Sequence, residues 1–361
     1  MASTNSTEQP QLNIQSKSKL QKVTQVKHLR TLVFPTLNKS MFYNIRRIPK
    51  RSGRFRTLHI PKEGLKKAQK IVLLKVLNEV VLPDYLWAFE PNRTLADLAR
   101  VHSGKECVVS LDLKDYFGSI KPYLVKGALI NYGVTGRAAE IVTELTTYKH
   151  FVPQGACTSP KISNMVTATT FGESLNGICK ACNVTMSIYA DDITLSFNTK
   201  GEGVIDVELL TRILSNLYYD DKRGMQRVID LCREHFDCMT DCIAISKMLI
   251  LLVKYVINQH NFRLSTAKTK IMGRGRRQWV CGVVVNEKPN ISREQRSLLR
   301  TMVHNLVRNG VESEAAKRGA ESTQAYLSSV RGKLSWYSHL NPERAAPLIE
   351  RFNNYVRTLN E

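Results

Sequence analysis

The amino-acid sequence predicts an α+β chain with a basic front part, an acidic β-centred middle and a helical basic end. Two observations carry that reading. β-Prone apolar runs at 107–112 and 185–197 interrupt a chain whose other apolar residues recur mostly at helical spacing. The charge is also segregated: residues from about 20 to 80 are strongly basic, whereas the acids that matter cluster at the ends of the β-prone runs.

Hydrophobic content of 43% and charged content of 23% are those of a folded globular chain, and 361 residues suffice for two or three subdomains. The formal net charge of +22 is out of line with that ordinary composition. Self-repulsion of this size points to a polyanionic partner, nucleic acid first and an anionic membrane surface second. No run reaches the roughly 18 apolar residues of a membrane span. The longest, "MLILLVKYVI", is interrupted by Lys254. The N-terminus lacks the charged-then-apolar pattern of a secretory leader, so a cytoplasmic, membrane-free location is expected. The eight cysteines read as free thiols. Cys179-x-x-Cys182 and the group Cys232, His235, Cys238 and Cys242 have zinc-ligand residue types without a matched second pair, and both metal-binding and plain-thiol readings stand.

In chain order, residues 1–24 are rich in Ser, Thr, Asn and Gln and are expected to form a flexible polar tail. "NIRRIPKRSGRFRTLHIP" places the turn signal Ser52-Gly53 between two short runs and predicts a hairpin carrying cations. Leu65, Ala68, Val72, Leu73 and Val76 then predict a helix that ends before Pro83. "CVVSLDLKDYFGSI", 107–120, starts as a buried strand and turns acidic and aromatic. A mixed helical region leads to "VPQGACTSPKISNMV", a loop that opens a helix. Residues 200–260 read as helical, "WVCGVVVN" as strand, and Ser292 with Gln295 as a capping box opening a helix that stops at Gly310. The segment from about 320 to 361 is helical again.

The chemistry lies in "TMSIYADDITLSF", 185–197, where Asp191 and Asp192 sit between two apolar runs. An ordinary hairpin turn accounts for one acid, but adjacent carboxylates repel unless a cation lies between them. Asp112 ends a second apolar run, "VVSLD". Read alone, Asp112 and Asp115 also suit a solvated acidic turn. Three carboxylates delivered to strand ends suit hard divalent cations, which take oxygen ligands and leave positions for substrate phosphates.

Those elements in that order, "SLDLKDYFGSI", "VPQGACTSPKISN" and "YADD", resemble the palm signature of reverse transcriptases. The more detailed resemblance is to bacterial retron reverse transcriptases and covers roughly residues 25–355. It runs from the hairpin and the helix bearing Gln69, through "LSTAKTKI" and "VCGVVVNEKPNISREQRSLLR", to "RGKLSWYSHLNPERAAPLIERF". It implies a right-hand polymerase fold: fingers and N-terminal region 25–105, palm 106–285 with a helical insertion about 200–260, and an RNA-binding thumb 286–361. It implies two Mg²⁺ ions on Asp112, Asp191 and Asp192, with Mn²⁺ as a substitute, and Lys268 as an acid for the leaving pyrophosphate. Lys50, Arg51 and Arg56 would hold the triphosphate. Phe117 would be the gate against a 2′-OH, and Gln154 and Gly155 would line the nucleotide pocket. Gly282 would support the primer end. Arg293, Arg296, Arg300 and Lys333, with Lys317, Arg318 and Arg331, would face RNA.

The implied activity is RNA-templated DNA synthesis from dNTPs, primed from a 2′-OH of a structured noncoding RNA to give branched RNA–DNA. The implied setting is a bacterial cytoplasm and antiphage defence with a separate effector protein. This chain departs from the retron pattern at Leu98, where Asn is usual before Ala99 and His102, and at Cys281, which replaces Thr in a Val-Thr-Gly element. The segment before Lys268 is also about thirty residues longer. Another bacterial reverse transcriptase, defence-associated or group II intron-like, is the alternative, and a non-catalytic RNA-binding scaffold a remote one.

Overall fold

The computed structural model describes residues 12–24, 39–49, 53, 55–199, 212, 230 and 242–359. Two compact units divide the chain: 1–93 with 110–195 and 199–270, and 94–109 with 196–198 and 271–361. The second unit therefore begins its C-terminal part near residue 271, earlier than the expected thumb boundary.

In the first unit, helix α1 (Lys17–Thr24) buries Leu20 and Thr24. The segment before it is stitched to a later turn, with Leu12 N–H donating to the Tyr132 carbonyl at 3.1 Å and Thr135 N–H to Ile14 at 2.9 Å. Gly133, at φ +85°, is needed there, because a Cβ would lie 2.2 Å from the Leu12 carbonyl oxygen. The expected flexible tail is thus corrected for residues 12–24: Leu12, Ile14 and Leu20 supply anchors that the polar composition conceals.

Strands β1 (Tyr43–Pro49) and β2 (Phe55–Pro61) form the expected antiparallel hairpin, with Ile48 opposite Arg56 and Ile45 opposite His59. Helix α2 (Glu63–Lys75) buries Leu65, Ala68, Gln69 and Val72, the expected face. It stops short of the predicted end, giving way to a 3₁₀ turn at Leu77–Glu79 before the β-branched Val80-Val81 pair. Gln69 is fully buried and donates to the Leu145 carbonyl at 2.8 Å.

Helix α3 (Leu95–Val101) belongs to the second unit and is capped by Thr94. β3 (Cys107–Asp112) follows. The single turn α4 (Tyr116–Ser119), α5 (Pro122–Asn131), α6 (Gly136–Thr146) and α7 (Ser159–Thr167) come next. α7 continues through a π turn into α8 (Glu173–Ala181). β4 (Thr185–Tyr189), β5 (Asp192–Phe197) and β6 (Lys270–Gly273) complete a four-stranded sheet of order β4-β5-β3-β6. β3 and β5 are buried almost throughout, as strands covered on both faces are. The outer side of β4 is covered by the 85–87 segment, which exchanges backbone hydrogen bonds with Ile188.

Helix α9 (Cys242–Gln259), which contains the run "MLILLVKYVI", is long and apolar enough by length and composition to cross a membrane. It buries Met248, Leu249, Leu252, Val253, Val256 and Ile257 within the fold, the behaviour of a core helix, and Lys254 interrupts the sequence without interrupting that face.

The remaining elements lie in the second unit. β7 (Trp279–Val280) and β8 (Val283–Val284) pair across Cys281-Gly282, both at positive φ, the pattern of a type I′ turn. α10 (Arg293–Asn309) opens on the predicted capping box, with Ser292 Oγ accepting from Gln295 N–H and Gln295 Oε1 accepting from Ser292 N–H, and ends at Gly310. α11 (Val311–Lys317), α12 (Thr323–Leu340) and α13 (Pro342–Thr358) finish the chain. His102 is buried here beside Ser196 Oγ at 2.7 Å, and burial drives its imidazole down to about 4.

The expectation of free thiols holds for Cys157, Cys179, Cys182 and Cys281 and fails for Cys107 and Cys242, which are disulfide-bonded. Cys232, His235 and Cys238 lie outside the described residues.

Candidate active site

The apolar run of β3 delivers Asp112 to the strand end with its side chain only 10% exposed. Its neighbourhood is fixed by backbone rather than by side chains. Leu113 N–H donates to the Asp191 carbonyl at 2.9 Å, Ser265 N–H to the Asp112 carbonyl at 2.8 Å, and Lys114 N–H to the Arg263 carbonyl at 2.8 Å. The end of β3 is therefore tied to the acidic hairpin and to residues 263–265. The hairpin turn itself is Ala190-Asp191, and Asp192 is the first residue of β5. Ala190 has φ 56° while Asp191 does not share a positive φ, the pattern of a type II′ turn whose first central position usually takes glycine. An alanine there stores about 1 kcal/mol of strain, of the kind concentrated at functional sites.

The three acids are short of positive charge. Burial raises the Asp191 carboxyl, and Asp112 raises it further against the opposing pull of Lys268 and Arg56. Burial, then Asp191, then Asp112 push Asp192 up to about 6, with Lys268 opposing. Lys268, in the 3₁₀ turn Thr266–Lys268, places Nζ 2.6 Å from Asp112 Oδ2, and that bond raises its ammonium. Oxygen-only donors, partly buried and mutually repelling, are the chemistry a hard divalent cation requires. Among the described residues no group of three or more His, Cys, Asp or Glu closes into a finished cage. The acids fit an ion whose shell is completed by substrate oxygens.

Arg56, on the exposed part of β2, is near enough for its charge to register at Asp191. Lys50 and Arg51 lie outside the described residues. The Gln154 carbonyl accepts from His59 N–H at 2.7 Å. Gly155, at φ +110°, lets that loop lie against β2, since a Cβ would sit 3.2 Å from the His59 carbonyl oxygen. Phe117 is half-buried and packs edge-on to Tyr116 at 5.3 Å; it is not a core phenylalanine. Tyr116 is the buried one, donating to the Ser163 carbonyl while its hydroxyl pairs with Thr167 Oγ1. Asp115 is exposed in a left-handed conformation, as a solvated turn acid is.

Sequence reasoning gave no role to the backbone partners Arg263 and Ser265, which lie just before and at the start of "LSTAKTKI". It also missed the ion pair Lys161–Glu90 at 2.9 Å, both side chains about nine-tenths buried, with Asn164 donating to Glu90 at 3.1 Å. That pair anchors the first turns of α7 next to the Gln154 loop. Gly282, Arg293, Arg296, Arg300 and Lys333 all belong to the second unit.

Residues 48–220 match the family described as reverse transcriptase (RNA-dependent DNA polymerase). The retron Mx65 reverse transcriptase of Myxococcus xanthus is 29% identical over 322 residues, 84% of this chain and 62% of that protein. Over that region the chain is similar to the reverse transcriptase domain of bacterial retrons. The retron Ec86 reverse transcriptase of Escherichia coli is 28% identical over 185 residues, 51% of this chain and 57% of that protein. The chain thus spans between half and two thirds of the length of these relatives. Telomerase from Candida albicans in complex with a fragment of telomeric RNA has a TM-score of 0.43 at 10% identity, covering 87% of this chain and 59% of that one. With the family match, the mixed helices and antiparallel pairs are those of a right-hand polymerase, and that family uses divalent metal ions.

Proposed function

We propose that this chain is an RNA-directed DNA polymerase that copies a structured noncoding RNA from dNTPs, primed from a 2′-OH of that RNA, giving a branched RNA–DNA product. The observation that carries the proposal is the joining of two strand-end acids by the Leu113 to Asp191 hydrogen bond at 2.9 Å, with Asp192 electrostatically coupled to both. Asp112, Asp191 and Asp192 would hold two divalent ions, Mg²⁺ or its substitute Mn²⁺. When bound, such ions ease deprotonation of the attacking hydroxyl and offset charge on the phosphate. The protein's own residues do the rest. Lys268 is kept protonated by the acids around it and is mostly exposed, so it is placed to donate a proton to departing pyrophosphate. Arg56, with Lys50 and Arg51, would neutralise the triphosphate. Phe117 would stack under the incoming sugar, and Gln154 with Gly155 would shape the pocket beside the template base. Gly282, Arg293, Arg296, Arg300 and Lys333 would hold primer and RNA. A bacterial cytoplasm, with antiphage defence through a separate effector, is the setting proposed.

Expression with the native upstream region tests this. A short DNA covalently joined to RNA should appear in wild type and vanish with Asp191→Ala plus Asp192→Ala. Activity on a generic primed RNA without the branched product would move the chain to another bacterial reverse transcriptase class, a reading favoured by Leu98, buried where retrons usually carry Asn. Silence in both assays would leave an RNA-binding scaffold.

A further inference from the structure

Phe89 is an aromatic residue that the fold holds in solvent. It is 50% exposed and its φ is 63°, a left-handed conformation that a bulky side chain adopts only where its surroundings impose it. The residues on either side supply that constraint. Buried Asn164 donates to the Ala88 carbonyl at 2.7 Å and to Glu90 at 3.1 Å, and Lys161 pairs with Glu90 at 2.9 Å. Trp87 N–H donates to the Ile188 carbonyl at 2.8 Å, and Arg93 donates to the Pro83 and Asp84 carbonyls at 3.3 and 2.7 Å. With both flanks fixed, the exposure of the ring is built in and does not come from loose packing.

The loop also sets what stands beside the ring. The 85–87 segment runs parallel to β4, with Leu86 opposite Ile188, so Phe89 and Tyr189 emerge at the end of the sheet that carries the acidic turn. Their ring centroids lie 6.5 Å apart at 36°. Across that end the acids have two sides. Leu113 pairs with Leu264 on one side and donates to the Asp191 carbonyl on the other. Lys268 stands on the first side, 2.6 Å from Asp112 Oδ2. Beyond the acidic turn on the second side come β4 and then the 85–87 segment with Phe89.

In phosphoryl transfer the attacking and leaving oxygens lie in line across the reacting phosphorus. If pyrophosphate departs towards Lys268, the attacking hydroxyl and the strand that carries it lie on the opposite side, towards Phe89. Two strand spacings of about 4.8 Å separate β5 from the 85–87 segment, which is about three nucleotides at about 3.4 Å each. We infer that Phe89 packs on the growing DNA strand about two or three nucleotides behind its reacting end, keeping that end in register with the acids. Every nucleotide offers an aromatic ring a sugar and a base, so the contact is independent of sequence, as template copying requires. The inference rests on the proposed polymerase reading for the direction of the reaction, and not for the constrained, exposed ring.

The test uses the full chain and a 5′-fluorescein DNA primer annealed to a longer RNA, with anisotropy read without dNTPs and primer extension read in parallel. Phe89→Gly removes the ring at a φ that glycine accepts. It should weaken hybrid binding about tenfold, whereas Phe89→Tyr, which keeps the ring, should bind as wild type does. The KM for the hybrid should rise in step, with the KM for dNTPs changed less than about twofold, because the triphosphate lies on the Lys268 side. One abasic nucleotide is then placed at successive positions from the primer 3′ end, and separately in the template. About two or three positions back in the primer, the lesion should cost wild type about tenfold in affinity and Phe89→Gly less than about twofold. Equal costs in the two proteins at every position would overturn the contact, and coupling found only in the template would overturn the strand assignment. Coupling without extension in wild type refutes the polymerase and leaves the contact standing. Extension without coupling refutes the contact alone.

Discussion

Replacing Asp192 by Asn should stabilise the protein in the absence of divalent ions while destroying its polymerase chemistry. Asp192 has an ordinary carboxyl pKa of 3.8 in the unfolded chain and about 6 in the fold, raised by burial and by the two neighbouring acids. A group raised in this way favours folding below the unfolded value, and that advantage is lost as pH rises through the folded value. At neutral pH the ionised carboxylate is therefore a liability. About two pH units at about 1.4 kcal/mol each correspond to roughly 3 kcal/mol. The group is only half-buried, so about 1–2 kcal/mol is the sounder expectation. Asn has the same shape and no charge to repel Asp191. In chelator at pH 7.5, Asp192→Asn should melt several degrees higher than wild type, at about 2–4 °C per kcal/mol. The gap should shrink as pH falls below 6 and close near pH 4. Adding millimolar Mg²⁺ should raise the wild-type melting temperature more than the variant's, because the ion relieves the same repulsion. A variant that melts lower at pH 7.5 in chelator, or a gap independent of pH between 4 and 7.5, would refute the reasoning that these acids are held short of counter-charge.

The other expectations concern the supports of the site. His102 is depressed to about 4 by burial, so stability should be lost as pH falls from 6.5 towards 4, by about 2 kcal/mol at pH 5. Urea midpoints of wild type and His102→Gln should show that pH slope in the first and not the second, and equal slopes would exclude His102 as its source. Gly155→Ala forces a left-handed alanine with its Cβ 3.2 Å from the His59 carbonyl, which should cost about 1–3 kcal/mol and raise the KM for dNTPs; an unchanged melt would contradict the close approach. Phe117→Ala should raise ribonucleotide incorporation about tenfold or more with a modest effect on stability, since the ring is half-buried, and unchanged discrimination in single-nucleotide extension would remove Phe117 from the gate.

Much of this protein was legible without coordinates because the informative signals are local. Alternation and β-branching mark β3, β4 and β5. The 3.6 period marks α2 and α9, and the Ser292-x-x-Gln295 box marks the start of α10. Paired acids at apolar strand ends mark Asp112, Asp191 and Asp192, since so costly an arrangement has few uses. Where local reasoning erred, tertiary packing was the cause. Residues 12–24 read as tail because four apolar residues among many polar ones look weak until the 12–14 segment meets the 132–135 turn.

By itself, then, the sequence determined the class of fold, the acids and the nucleic-acid bias of the charge, since each depends on residue type and near-neighbour spacing. Only tertiary structure decided that Lys268 rests on Asp112, that the end of β3 is tied to the acidic turn and residues 263–265, and that Phe89 stands beside Tyr189. Those relations join residues from dozens to more than 150 positions apart. Hydrogen bonds and charge interactions act over a few ångströms of space, and no sequence period records that distance.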